Sequence, residues 1–154
     1  MLRRMSGRAE QIFDEDHMLP PTWLFERPNG EQILMATPIE LPDGDPEIVV
    51  YKQTVSDAMR EFIRDNDVVR YAFASEVWID GHDDQGRKEG VYIGAEDRSR
   101  RVAGLRDIIR PQNRNPYLGR LELAEAPATE IASVAAPSRF MGLLLATHSA
   151  GALH

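Results

Sequence analysis

Three carboxylates and three arginines hold the main chemical potential of this sequence: Glu76, Glu96 and Asp107, with Arg98, Arg106 and Arg110. They lie in and beside stretches where apolar residues alternate, so strands would present them at a two-residue repeat. With the hairpin registering about its polar turn, Glu76 and Glu96 are expected to share the face away from the core. Two carboxylates so placed can divide acid and base work or hold a divalent cation, while arginines orient an anionic substrate. Such a cluster describes a small hydrolase or a binder of phosphate compounds. The competing reading is a solvated face laced with ion pairs, each worth about 0–1 kcal/mol. No defined spacing favours the site, so the ion-paired face is preferred.

The remaining motifs argue mostly by failing. Asp80-Gly81-His82-Asp83-Asp84-Gln85-Gly86 resembles a calcium loop, but the sixth position is Gln85 where glycine is needed, and the twelfth is Val91 where glutamate is needed. A polar hairpin turn is the better reading. His17, His82, His148 and His154 have no ligand spacing among themselves. His17, close behind Asp14 and Asp16, is the only one suited to a metal test. Walker, dinucleotide and Gly-x-Ser-x-Gly patterns are absent. No metal and no cofactor is therefore expected. With zero cysteines there is no disulfide framework or thiol chemistry, and the cytoplasm is the default compartment.

Charge is distributed unevenly. The net charge of -7 argues against broad nucleic-acid affinity. Residues 31–67 carry nine acids against three bases, whereas 98–120 carry seven arginines against Asp107 alone. The arginine run admits an anion- or RNA-contacting strip, but Tyr117 is its one aromatic residue, thin for base stacking. Neutralisation of the acidic half, within one chain or across a dimer, is preferred. Arginine outnumbers lysine sixteen to two, which is read as coding bias before selection for bidentate anion recognition.

These residues need elements to position them, and the central stretch 54–110 supplies the pattern. Val55, Ala58, Met59, Phe62 and Ile63 recur at helical spacing after a capping Thr54, predicting a helix over 54–65 with Asn66 as its left-handed terminus. Residues 68–80, 90–97 and 102–110 alternate as three strands of an antiparallel meander. Val69, Tyr71, Phe73, Val77 and Ile79 form the core face, and Arg70, Ala72, Ala74, Glu76 and Trp78 the wet one. Asn29-Gly30 predicts a hairpin between 23–26 and 31–37. Residues 117–123 and 140–147 are expected as further strands, 124–137 as a loop, and 1–18 as a weakly ordered segment in which Ser6 caps at most a short helix.

The length of 154 residues suits one domain, and 42% apolar with 28% charged residues is ordinary for a soluble globular protein. No apolar run approaches the roughly 20 residues of a membrane span. The expected fold is α+β: an antiparallel sheet of about five or six strands with one main amphipathic helix on one face. The preferred function is a non-enzymatic interaction module or homodimer, in which Trp78 anchors a protein partner or a second copy on the wet face. A small anionic ligand is the alternative.

Overall fold

The computed structural model describes residues 1–37, 47–80, 87–124 and 140–144. In chain order it contains α1 (Leu2–Asp16), β1 (Thr22–Glu26), β2 (Gln32–Ala36), α2 (Glu47–Asp65), β3 (Arg70–Asp80), β4 (Arg87–Asp97), β5 (Arg101–Ile109), β6 (Tyr117–Leu118) and β7 (Glu122–Leu123). The fold is α+β, with a seven-stranded antiparallel sheet ordered β2-β1-β3-β4-β5-β6 and with β7 also paired to β5. Residues 38–46 of the acidic stretch, the calcium-like turn beyond Asp80, all but the first residue of the loop expected over 124–137, His148 and His154 lie outside the described residues.

The meander forms as the alternation predicts, with β4 starting three residues earlier than expected, β3 two residues later, and β5 shifted by one. β3 and β4 pair over eleven positions, from Arg70↔Asp97 to Asp80↔Arg87, and β5 continues the ladder on the far side of β4. The Asn29-Gly30 hairpin is present: Gly30 takes φ 84 and its N–H returns to the Arg27 carbonyl at 3.0 Å. A side chain at Gly30 would be strained in that left-handed backbone.

The sheet is covered on both faces, where one helix on one face was expected. On one side Val55, Met59 and Ile63 of α2 pack with Trp23, Phe25, Tyr71, Phe73 and Tyr92. On the other, Leu2, Met5, Ala9 and Phe13 of α1 pack with Leu24, Ala72, Ala74, Val91 and Ile93. The segment read as weakly ordered is therefore a fifteen-residue helix, with Phe13 fully buried. Met5, Ala9 and Phe13 stand four residues apart on one stripe, too narrow to stand out from the surrounding polar residues. Ser6 lies buried inside this helix and does not cap it. His17 closes it in the left-handed region at φ 56, its N–H bonded to the Phe13 carbonyl at 2.8 Å.

Three other boundaries move. α2 begins at Glu47, seven residues ahead of Thr54, so the apolar run ahead of Thr54 is its first turns. Positive φ falls on Asp67 instead of Asn66, whose side chain caps the Phe62 carbonyl at 2.9 Å. The strand expected over 117–123 is two short pieces, because between them the Leu118 and Gly119 carbonyls turn toward Arg106, which donates to them at 3.3 and 2.6 Å.

The burial of α1 sets its own test. Phe13→Ala should lower unfolding free energy by about 3–5 kcal/mol, as for a fully buried aromatic ring. Gln11→Ala on the exposed side should change it by no more than about 0.5 kcal/mol. Urea denaturation of both variants measures this, and a Phe13→Ala effect as small as the control would mean that α1 does not pack on the sheet.

Candidate functional site

The register of the central hairpin decides which candidates meet. Even positions of β3 pair with odd positions of β4, so Glu76 stands opposite Val91 and Glu96 opposite Tyr71. Cross-strand partners point to the same side of a sheet. Glu76 therefore faces the α1 side and Glu96 the α2 side. The expected pair of carboxylates does not converge, since convergence needed a register in which even positions pair with even. Asp107, opposite Gly90, is on the α2 face and holds Lys88 Nζ at 2.5 Å. Arg106, opposite Val91, is on the α1 face.

Most of the expected site is structural mortar. Arg106 is buried, and its guanidinium reaches Glu10 in a fork at 2.9 and 3.1 Å and the Ser6 hydroxyl at 3.3 Å. It ties α1 to β5 and β6 and offers no ion-binding edge. The hydrogen bond from Arg106 and its charge outweigh burial and hold the Glu10 carboxyl below its usual range. Glu96 is almost wholly buried. One of its oxygens accepts from Arg101 Nε at 3.2 Å and from the Gly142 N–H at 2.5 Å, and the other accepts from the Leu144 N–H at 2.8 Å. The Tyr71 hydroxyl shares one proton between Glu96 and the Phe140 carbonyl, at 3.2 and 3.0 Å. Arg98 is exposed in the β4–β5 turn and makes no ion pair among the described residues.

A second buried carboxylate, Glu26, escaped the sequence reading. It faces the α1 side and gathers Arg70 Nε at 2.7 Å, Arg4 at 3.1 Å and Gln32 at 3.1 Å. Burial pushes its carboxyl up, but the hydrogen bonds from Arg70 and Gln32 and the charges of Arg70 and Arg4 together bring it below the usual value. Among the described residues, no arginine of 98–120 pairs with an acid of 31–67. The arginines of that run reach Glu10, Glu89, Glu96 and Asp97, which neighbour them in the sheet or on α1. Arg114 instead lies over the Tyr117 ring at 4.6 Å.

One group of the expected residues does assemble. Glu76, Trp78 and Arg110 meet on the α1 face at the open end of β3 and β4, joined by Glu89, which the sequence reading did not single out. Glu89 stands directly across from Trp78 and makes a two-point pair with Arg110, one bond of which measures 3.1 Å. Glu76 accepts the Leu19 N–H at 2.6 Å, where the chain leaves α1. Burial raises the Glu76 carboxyl above its ordinary value; the Leu19 bond and Arg110 oppose this, and Glu89 reinforces it. Trp78 is half exposed, at 50%. The face expected to be wet is thus covered over Ala72 and Ala74, while Trp78 at this end of it is exposed among the described residues.

Among the described residues no three histidine, aspartate or glutamate side chains sit within reach of one metal ion, and no helix is long and apolar enough to cross a membrane. No protein-family model, curated protein or solved structure matches this chain.

Glu76 carries a pH signature. Its folded value is raised, so the folded chain binds that proton more tightly than the unfolded chain. The stabilisation is complete below the ordinary value of 4.5 and is lost as pH rises through the folded value. Glu76→Gln removes this slope and keeps an oxygen for the Leu19 N–H. The variant should gain stability relative to the native chain between about pH 4 and pH 7 in urea melts. A difference independent of pH would count against burial of the carboxylate.

Proposed function

We propose that this chain is a non-enzymatic interaction module that self-associates through the Trp78 end of its sheet. The observation that supports this reading is a half-exposed tryptophan set among both signs of charge: Glu89 across from it, Arg110 on Glu89, and Glu76 beside them. Tryptophan and arginine are the side chains that most often carry interface energy. A two-fold axis brings each subunit's patch onto its own copy, so a surface carrying both signs is self-complementary. Arg110 of one copy then lies near Glu76 and Glu89 of the other, while Trp78 leaves water. The overall charge of -7 opposes indiscriminate association, which favours contact at a patch where charges balance locally.

The hydrolase-like alternative loses its support, because Glu76 and Glu96 lie on opposite faces and Asp107 is engaged by Lys88. Anion or RNA binding through the arginine run is weakened in the same way, with Arg101, Arg106 and Arg110 committed to carboxylates.

Sedimentation velocity over a concentration series tests the reading. The native chain should show a concentration-dependent dimer, and Trp78→Ala should raise its dissociation constant roughly 30-fold or more, as for an interface hot spot of about 2 kcal/mol. A native chain that stays monomeric at high concentration, or a Trp78→Ala chain that dimerises unchanged, would overturn it.

A further inference from the structure

Residues 140–144 were expected as part of a buried strand, and they are buried without being one. Phe140, Met141, Leu143 and Leu144 are all within the α2-side core. Their backbone joins no ladder: Gly142 has φ 83, and the segment runs as a short turn. Two side chains of the sheet seat it. Glu96 accepts the Gly142 and Leu144 N–H groups, and Tyr71 donates to the Phe140 carbonyl while receiving the Leu143 N–H at 3.4 Å.

The fit is matched by a glycine on each side. A methyl group on Gly94, in the floor of the groove, would come within 2.5 Å of the Met141 sulfur. A methyl group on Gly142, in the segment, would come within 2.5 Å of the Arg101 guanidinium, in a backbone conformation that already excludes most side chains.

The way this contact is built differs from ordinary core packing. Replacing a buried charge by apolar residues is often neutral or stabilising, so a buried carboxylate is a poor device for stability alone. What Glu96 adds is recognition of backbone N–H groups at fixed positions, by charge-assisted bonds. Glu96 also keeps partners when the segment leaves, because Arg101 at 3.2 Å and the Tyr71 hydroxyl belong to the sheet. An emptied groove therefore has no orphaned charge, and α2 still covers the neighbouring part of the face through Val55, Met59 and Ile63. These are properties of a preformed site with a ligand in it.

We infer that this groove is a peptide-recognition site, filled in cis by residues 140–144 and able to take the same kind of peptide in trans. The ligand class is a short apolar peptide with glycine at the third of five positions, read through the N–H groups of its third and fifth residues. The inference does not depend on the Trp78 patch, which lies on the other face.

A complementation experiment tests it on the full chain. Phe140→Ala with Leu143→Ala weakens the cis ligand and leaves the groove intact. Trp78→Phe in the same chain makes emission report Trp23, which the Phe140 ring meets edge-on at 5.3 Å. A synthetic peptide of residues 138–147 should bind saturably and shift the Trp23 emission. Adding Glu96→Gln should weaken the peptide about tenfold or more, as for loss of hydrogen bonds to a charged group. A peptide carrying Gly142→Ala should also bind more weakly. No saturable signal from a variant that retains its circular dichroism would overturn the inference.

Hydrogen exchange on the native chain gives a second measurement, independent of whether the variant folds. Release of the segment should let the Gly142 and Leu144 amides exchange faster than the sheet amides of Phe73 and Ile93. Protection equal to the sheet would mean that the segment opens only with the whole fold, and would overturn the inference.

Discussion

The pairing of β3 with β4 is the constraint on which the rest of this structure depends. Eleven consecutive pairs place even positions of one strand beside odd positions of the other. That parity puts Tyr71, Phe73, Tyr92 and Glu96 on one face, and Ala72, Ala74, Val91 and Ile93 on the opposite face. A slip of one residue would exchange the faces of a whole strand. The first face is aromatic and takes α2 together with residues 140–144. The second is floored by small side chains, which leaves depth for Met5 and Phe13 of α1. Helices on both faces follow from this difference in side-chain size.

Buried charges fasten the covering elements at particular places. Arg106 holds α1 to β5 and β6, Glu26 draws Arg4 of α1 to the end of β1, and Glu96 receives residues 140–144. Each is satisfied by several partners, which a charge withdrawn from water requires. Apolar residues at these positions would hold an element against the sheet but would not set its rotation or register along it. The few buried charges thus specify where the amphipathic pieces dock, while the apolar clusters supply most of the stabilisation.

The same arrangement separates two surfaces of different chemistry. At the Trp78 end of the α1 face, an exposed aromatic ring stands among charges of both signs. On the α2 face, a buried carboxylate and a tyrosine hydroxyl present hydrogen-bonding groups inside an apolar groove. Glu76 and Glu96, twenty residues apart in sequence, serve these two surfaces separately, and the sheet lies between them. Chemistry that needs both carboxylates at one reacting atom has no place in this arrangement.

The sequence by itself determined the local elements whose signals are short in range. Alternation over β3, β4 and β5, the helical spacing of Val55, Met59 and Ile63, and the turn demanded by Asn29-Gly30 each depend on neighbours within a few residues. The α+β class followed from those. Trp78, Glu76 and Arg110 were legible as candidates by residue type, but Glu89 was not, because only cross-strand register sets it beside Trp78. What the tertiary structure alone decided was which residues share a face and what covers it. The helix α1 had too narrow an apolar stripe to be recognised without the small-residue floor it fills. Residues 140–144 read as a strand because they are apolar, although their burial comes from docking on Glu96 and Tyr71. Those contacts join positions about 45–70 residues apart, and a pattern that repeats every two or four residues carries no information at that range.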